Sequence, residues 1–258
     1  MLVLRSVLFN ILFYAHMLAW LIIASLPLLL LPRRFMLAAG ILWAKGSLWL
    51  MRVVAGTGCE ITGVENVPQG GFIVAAKHQS FWETFALVTV FQRPVYILKR
   101  ELTWIPLFGW WMIKLGMIPV NRGARAKALK DVTRRAKIII REDDRQLMIF
   151  PEGTRRPPGA PPAYKYGIVH LYRELGVPCV PVALNAGMYW PRRKFLRRPG
   201  TVRMTILPAI EPGLEPEVFF ARMQDAIERE SDRLLAIAVA ETGVAPPGAA
   251  ATPTPTSP

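Results

Sequence analysis

Apolar residues dominate the first 55 positions of the chain. Residues 7–31 are almost wholly apolar, and as a helix this run would be roughly 37 Å long, which is enough to cross a lipid bilayer. A second apolar stretch, 35–55, contains two cations and two glycines, so a helix lying at the membrane interface beside the first is favoured there. Residues 1–55 are therefore predicted to form a membrane anchor, built either as a helical hairpin or as one span plus an interfacial helix.

Beyond the anchor, short apolar runs bounded by Pro, Gly or charged residues alternate with helical patterns. The runs predict seven strands, in the segments CEITGVENVP, GFIVAAKH, VYILKR, GMIPVNR, LMIF, PCVPVAL and TVRMTIL. An apolar stripe at helical spacing predicts a helix over 128–143, and a long helix is expected over 216–241. Strands that alternate with helices predict an α/β domain over residues 56–243. The Pro-, Ala- and Thr-rich segment 244–258 is predicted to be a disordered tail.

The excess of basic over acidic residues bears on which class of anionic partner the protein contacts. Lys and Arg number 32 against 18 Asp and Glu, so the net charge is +14, which raises nucleic acid as a partner. No nucleic-acid-binding motif accompanies the charge, and the segment WPRRKFLRR, 190–198, mixes aromatic residues with cations as an anionic lipid surface favours. Membrane attraction accounts for the charge and the anchor together, so a membrane surface is predicted and nucleic acid is not. Cys59 and Cys179 lie far apart without metal-ligand spacing, and they are predicted to be reduced packing residues with no metal site.

The stretch KHQSFWET, residues 77–84, holds the first candidate for chemistry. Positions five apart on an ideal helix are rotated by about 140°, so His78 and Glu83 meet only if His78 lies in a loop and a helix begins near Ser80. The segment SFWE fits the capping box S-x-x-E, which predicts that start. Two interpretations stay open. Either Glu83 only bonds the Ser80 amide, or it holds one imidazole nitrogen and leaves the other to take a proton from a hydroxyl.

Four further blocks follow KHQSFWET in order along the chain: KRELTWIPLFGW, GMIPVNR, FPEGTR and VPCVPV. Together the five blocks resemble the successive motifs of the glycerolipid acyltransferases, and the chain closely resembles the bacterial 1-acyl-sn-glycerol-3-phosphate acyltransferases, also called lysophosphatidic acid acyltransferases. The resemblance covers residues 60–185, and it implies an acyltransferase-type α/β domain behind an N-terminal membrane-anchoring helical segment. A single H-x-x-x-x-E would be a weak signal, whereas five ordered blocks are a specific one.

The resemblance assigns roles to individual residues. It implies that His78 is the general base and that Glu83, where the family usually has Asp, holds it. It implies that Arg122 binds the acceptor phosphate, although Asn121 stands where the family commonly has an acidic residue. By the same resemblance, the glycerol-phosphate site is formed by the turn in FPEGTR, that is by Glu152, Gly153, Thr154 and Arg155. The residue types fit an anion, because Gly lets backbone amides come close and Arg offers a charged fork.

The function implied is acyl transfer from a thioester donor to the sn-2 hydroxyl of 1-acyl-glycerol-3-phosphate, giving phosphatidic acid. The donor is expected to be acyl-CoA or acyl carrier protein, which are substrates, so no cofactor is predicted. No protein nucleophile is offered beside His78, which favours direct transfer in a ternary complex. The open alternatives are another lysolipid acceptor (lyso-ornithine lipid or lysophosphatidylglycerol), a hydrolase of acyl thioesters, and a catalytically idle membrane-binding module. Arg33 and Arg34 after the first apolar run predict an inner-membrane protein whose catalytic domain faces the cytoplasm.

Overall fold

The structure is a computed structural model, and it describes residues 1–121 and 125–248. Its N-terminal part is a succession of apolar helical segments: α1 (Leu2–Ala19), a π-helical turn (Trp20–Ala24), α2 (Ser25–Leu30), α3 (Arg33–Leu50) and a second π-helical turn (Met51–Ala55). The chain reverses at Leu31 and Pro32, where Leu31 is extended and Pro32 is the N-cap residue of α3. Proline is favoured at such a start because it has no amide hydrogen to leave unbonded.

The two halves of this region pack side by side as an antiparallel pair. Arg5, near the start of α1, donates from Nε to the carbonyl oxygen of Val54 at 2.9 Å, and the ring of His16 stacks on Trp43 halfway along. Leu2–Ala24 and Arg33–Ala55 are each 23 residues long and are apolar enough to cross a membrane. Large apolar side chains on both halves face outward, so the pair is a candidate membrane anchor.

A seven-stranded sheet forms the centre of the rest of the chain, and each predicted strand is present in it. The strands are β1 (Thr57–Thr62), β2 (Phe72–Ala76), β3 (Pro94–Lys99), β4 (Ile118–Val120), β5 (Gln146–Ile149), β6 (Cys179–Leu184) and β7 (Gly200–Ile206). Their order across the sheet is β1-β7-β6-β2-β5-β3-β4, and every neighbouring pair is parallel except β6 and β7. The central strand β2 reads FIVAA and is buried on both faces, as expected of a parallel strand covered by helices.

Helices cover both faces of the sheet and enclose two apolar cores. The helices are α4 (Trp82–Ala86), α5 (Phe108–Lys114), α6 (Arg125–Asp143), α7 (Gly167–Leu175) and α8 (Pro216–Thr242). One core joins the sheet to the N-terminal helix pair and α4, and the other joins the opposite face to α6, α7 and the first half of α8. The sequence predicted α6 and α8 but not the nine-residue α7. The α/β fold predicted from the sequence is confirmed.

The topology brings the candidate residues to one edge of the sheet. Strand β5 pairs with β2 on one side and with β3 on the other, both in parallel, so the carboxyl ends of these three strands lie together. His78 follows β2 by two residues and Glu152 follows β5 by three. Loops at the carboxyl ends of parallel strands are the usual place for ligand sites in such sheets, because successive strand ends converge there.

Candidate active site

His78 and Glu83 are in direct contact. Nδ1 of His78 lies 2.8 Å from Oε1 of Glu83, and the Glu83 side chain has no exposed surface. A carboxylate only accepts hydrogen bonds, so the pair places the hydrogen on Nδ1 and leaves a lone pair on Nε2. Among the described residues nothing hydrogen-bonds to Nε2, and 14% of the His78 side chain is exposed. The arrangement is that of a general base with an orienting acid.

Glu83 also caps the loop that carries His78. The same Oε1 accepts hydrogen bonds from the backbone amides of Gln79 at 2.8 Å and Ser80 at 2.7 Å. The Ser80 hydroxyl accepts in turn from the amide of Trp82, the first residue of α4. One carboxylate oxygen of Glu83 thus holds both the imidazole and the turn beneath it, and proton transfer at Nε2 stays a prediction.

The imidazole ring of His78 lies flat on an aromatic neighbour. Its centroid is 4.0 Å from that of Phe150, with 17° between the ring planes, and the ring of Tyr96 also stacks on Phe150, with centroids 6.2 Å apart. Burial and the nearby charge of Glu83 raise the pKa of the Tyr96 hydroxyl, so this group stays neutral. The stack limits rotation of the imidazole about its side-chain bonds, which keeps Nδ1 on Glu83.

The backbone of His78 is held by the block that follows β5. Its amide donates to Oε2 of Glu152 at 3.0 Å, and its carbonyl oxygen accepts from the amide of Arg156 at 2.8 Å. The two segments are more than 70 residues apart in sequence, yet both polar groups of the His78 peptide are satisfied by this one turn. The base and the FPEGTR turn therefore form one rigid unit.

Glu152, which the resemblance places at the glycerol-phosphate site, is buried against the loop that carries His78. It is 2% exposed, and one carboxylate oxygen accepts the His78 amide while the other lies 3.2 Å from Nζ of Lys77. Burial raises the pKa of Glu152, whereas Lys77 and the His78 amide act in the opposite direction. A carboxylate in this position would repel an anionic ligand. We therefore assign Glu152 to holding His78, and contact with substrate phosphate stays a prediction for Gly153, Thr154 and Arg155.

The remainder of the turn suits close approach of an anion. Gly153 has φ +67°, a backbone conformation that favours glycine, and the end of the Lys165 side chain packs over it, with Cε 3.0 Å from the position that a Cβ would take. Thr154 is exposed and Arg155 is half-buried. Cations thus flank the turn on both sides of its exposed tip, which favours an anionic ligand.

A third cation reaches the turn from a segment that the sequence assigned to lipid contact. Nη1 of Arg192 donates to Oγ1 of Thr154 at 3.2 Å and to the carbonyl oxygen of Arg155 at 3.1 Å. Arg197, in the same segment, is 5% exposed and packs over the ring of Trp190. WPRRKFLRR is therefore not uniformly a surface segment, and one of its cations lies at the candidate anion site. No local pattern in the sequence distinguishes Arg192 from its basic neighbours.

Comparison with known proteins agrees with this geometry. The family model described as Acyltransferase matches residues 58–185, which contain the His78 and Glu83 pair and the FPEGTR turn. A 1-acyl-sn-glycerol-3-phosphate acyltransferase of Pseudomonas aeruginosa is 39% identical over 168 residues, which are 65% of this chain and 65% of that protein. The chain belongs to the acyltransferase family.

More distant members of the acyltransferase family share the same region and fold. A 1-acyl-sn-glycerol-3-phosphate acyltransferase of Saccharomyces cerevisiae is 29% identical over 139 residues, 53% of this chain and 46% of that protein. The same fold is found in the crystal structure of the 1-acyl-sn-glycerophosphate (LPA) acyltransferase PlsC from Thermotoga maritima, with a TM-score of 0.78. That match covers 92% of this chain and 98% of the other, at 23% sequence identity. The matched segments span less than two thirds of the length of the curated relatives.

Two further residues belong to the matched motifs. Arg122 lies outside the described residues, so its role at the acceptor phosphate stays a prediction. Lys99 ends β3, at the same edge of the sheet as His78, and its exposed Nζ lies 3.2 Å from Glu101. Lys99 begins the block KRELTWIPLFGW, but nothing in the sequence indicated a role for it.

Proposed function

We propose that this protein transfers an acyl chain from a thioester donor to the sn-2 hydroxyl of 1-acyl-glycerol-3-phosphate, giving phosphatidic acid. The observation that carries the proposal is the 2.8 Å contact between Nδ1 of His78 and Oε1 of Glu83, on a loop clamped to the turn that holds Arg155. A base and an anion site on one rigid unit suit a substrate that carries both an alcohol and a phosphate. The curated relatives, which are 1-acyl-sn-glycerol-3-phosphate acyltransferases, support the choice of acceptor.

The chemistry needs one proton carrier. Nε2 of His78 takes the proton of the acceptor hydroxyl as its oxygen attacks the thioester carbonyl, which forms a tetrahedral intermediate. Glu83 stabilises the resulting imidazolium through Nδ1. The intermediate then expels the thiolate, which takes the proton back from Nε2, so His78 and Glu83 return to their starting state. Transfer of this kind requires that donor and acceptor are bound together.

Direct transfer is favoured over an acyl-enzyme. Cys179 is fully buried at the start of β6, away from the edge that holds His78, and burial raises the pKa of its thiol. Ser80 is also fully buried, and its hydroxyl accepts a hydrogen bond from Trp82. Neither residue offers the exposed, activated oxygen or sulfur that a covalent intermediate needs. Acyl-CoA and acyl carrier protein are both anionic donors that the net charge of +14 would attract.

The N-terminal helix pair is proposed to hold the site at the inner membrane, with the catalytic domain facing the cytoplasm. α1 and α3 pack against α4, the helix that carries Glu83, through an aromatic cluster in which the ring of Phe13 lies 6.0 Å from both Phe81 and Phe85. The anchor and the base are thus neighbours, so an acceptor in the bilayer reaches His78 over a short path.

An assay of purified protein reconstituted in lipid vesicles tests this function. Labelled acyl-CoA or acyl carrier protein is offered with a panel of lysolipids: 1-acyl-glycerol-3-phosphate, lysophosphatidylglycerol and lyso-ornithine lipid. We expect labelled phosphatidic acid as the main product. A different acylated lipid as the main product would reassign the acceptor, free fatty acid would indicate a thioester hydrolase, and no product would indicate a membrane-binding module.

Replacing Arg155 by alanine is expected to weaken binding of the acceptor lipid. Charge-assisted hydrogen bonds to phosphate oxygens would be lost, so KM for 1-acyl-glycerol-3-phosphate should rise by about 10- to 100-fold while KM for the donor changes little. The same outcome is predicted for Arg122→Ala. Steady-state kinetics with each substrate varied in turn measures the difference. Equal losses for both substrates would contradict the phosphate assignment.

Replacing Arg192 by alanine is expected to have a smaller effect of the same kind. The guanidinium is exposed and contacts the turn by donating hydrogen bonds to Thr154 and Arg155. KM for the acceptor should therefore rise by about three- to tenfold, and the rise should be smaller at high salt because salt screens an exposed charge. Arg193→Ala is the matched control, because Arg193 is the exposed neighbour and donates no hydrogen bond to this turn among the described residues. An equal effect of both substitutions would indicate attraction to the membrane in place of contact at the site.

A further inference from the structure

We propose that the buried Lys77 and the partly buried Glu228 form a clamp that positions His78 through Glu152, which makes the C-terminal helix α8 part of the machinery that orients the base. Lys77 immediately precedes His78, and its Nζ donates to Oε1 of Glu228 at 2.5 Å. Glu228 lies on α8, 151 residues further along the chain. The expected effect on kcat rests on the acyl transfer proposed above, whereas the claim that these contacts hold His78 in place does not depend on it.

The clamp is a continuous chain of contacts from α8 to the His78 peptide. Nζ of Lys77 lies between Oε1 of Glu228 at 2.5 Å and Oε1 of Glu152 at 3.2 Å. The contact with Glu152 is an ion pair, because Oε1 of Glu152 lies outside hydrogen-bond geometry with Nζ. The other oxygen of Glu152 then accepts the His78 amide at 3.0 Å. Movement of α8 would therefore be transmitted to the residue that carries the base.

Tyr164 ties the same cluster to the anion site. Its hydroxyl donates to Oε1 of Glu228 at 2.6 Å, and its ring lies 5.5 Å from Nζ of Lys77. The next residue, Lys165, covers Gly153 and donates its amide to the carbonyl oxygen of Pro151 at 2.9 Å. Glu228 is thus connected on one side to the base and on the other to the turn that faces the acceptor phosphate.

Stability of the fold does not account for Lys77. Its backbone amide already extends the pairing of β2 with β6 by donating to the carbonyl oxygen of Val182 at 2.9 Å. Its side chain is only 5% exposed, and a cation removed from water in this way is costly. Apolar replacements of buried ion pairs are often neutral or stabilising, so an apolar residue would serve packing at least as well. A charged group kept next to the base is better explained by its contact with Glu152.

The catalytic consequence concerns turnover more than substrate binding. Lys77 is buried, and the Glu228 carboxylate is held by Lys77 and Tyr164, so we expect neither to contact a ligand at the exposed tip of the turn. A misplacement of a catalytic group by about 1 Å typically costs about 100-fold in rate. Loss of the clamp should therefore lower kcat and leave KM for both substrates nearly unchanged.

The substitution that tests the clamp is Glu228→Leu, with Glu228→Gln as its conservative counterpart. Leucine removes the acceptor for Lys77 and Tyr164, and we expect kcat to fall by about 10- to 100-fold with both KM values within about threefold of wild type. Glutamine keeps a carbonyl oxygen at the position of Oε1, so kcat should stay within about threefold. Lys77→Met is a second variant that breaks the clamp from the other side, in case Glu228→Leu does not fold.

Glu241→Leu is the matched control on the same helix. Glu241 ties α8 to β7 through two hydrogen bonds from Arg203, at 2.8 and 2.6 Å, and lies 13 residues beyond Glu228. It has no contact with Lys77, Glu152 or His78. We expect this variant to lower the thermal midpoint of unfolding while kcat stays at the wild-type value, because it weakens the docking of α8 without breaking the clamp. An equal fall of kcat in both variants would show that Glu228 acts only by holding the helix, which would overturn the proposal.

A readout without substrate separates the clamp from the proposed function. The chain has three histidines, so protein labelled with ¹⁵N-histidine gives three backbone amide signals, assigned by replacing His16 and His170 in turn. The His78 amide should exchange with solvent at least about tenfold faster in Glu228→Leu and in Lys77→Met, and at the wild-type rate in Glu241→Leu. Unchanged exchange in the first two variants would overturn the clamp. Faster exchange in a protein whose wild type acylates no lysolipid would support the clamp and reject the function.

Discussion

The His78→Ala variant is expected to lose nearly all acyl transfer. The variant lacks the nitrogen that takes the proton of the acceptor hydroxyl, and general-base assistance is worth about 10²- to 10⁴-fold in rate, so kcat should fall by that factor. Binding of both substrates should change little, because the backbone contacts of residue 78 with Glu152 and Arg156 do not depend on the imidazole. Initial rates of phosphatidic acid formation in lipid vesicles measure the loss.

The thermal midpoint of unfolding is the control for His78→Ala. The imidazole of His78 stacks on Phe150 and hydrogen-bonds Glu83, so its removal should destabilise the fold to some extent. The loss of rate is assigned to the missing base only if the variant's midpoint stays above the assay temperature. Retention of more than about a tenth of the wild-type rate by the folded variant would assign the base to another group.

The Glu83→Gln variant is expected to fold normally and to be a poor enzyme. Three donors converge on Oε1 of Glu83, namely Nδ1 of His78 and the amides of Gln79 and Ser80, and a glutamine carbonyl oxygen keeps an acceptor with two lone pairs at that position. The negative charge that stabilises the imidazolium would be lost, so we expect kcat to fall by about 10- to 1,000-fold with KM unchanged. Steady-state kinetics and the thermal midpoint of unfolding measure the two expectations separately.

The Glu83→Ala variant separates capping from catalysis. It leaves the buried amides of Gln79 and Ser80 without an acceptor, and each such loss costs about 1–3 kcal/mol, so the free energy of unfolding should fall by about 2 kcal/mol or more. Glu83→Gln should show the catalytic loss without this loss of stability. If the glutamine variant were as active as wild type, Glu83 would only cap the loop that carries His78 and would have no role in catalysis.

The sequence predicted those parts of the site that depend on residues close together along the chain. His78 and Glu83 are five residues apart, and the capping box around Ser80 indicated a helix start near there, so helix geometry allowed their contact without requiring it. The strands that carry the loops were visible as apolar runs bounded by Pro, Gly or charge. The resemblance of five ordered blocks then named the family, which the comparisons bear out.

The parts that the sequence did not predict depend on contacts between distant segments. Lys77 meets Glu228 because α8 crosses back over the sheet after 151 residues, and no periodicity in either segment encodes that crossing. Glu152 was assigned to the phosphate because its block is matched as a whole, whereas the structure turns its carboxylate toward His78. Arg192 was one cation among several until its contact with Thr154 distinguished it.

The most direct test of acyl transfer to a lipid alcohol activated by His78 is a single-turnover experiment with labelled acyl-CoA. Protein in excess over the donor is mixed first without acceptor and then with 1-acyl-glycerol-3-phosphate, and labelled protein, free acid and phosphatidic acid are followed in time. Direct transfer predicts that the donor stays intact until the acceptor arrives and that the label then passes entirely into phosphatidic acid. Release of CoA before the acceptor is added, with the label on the protein or in free acid, would contradict it.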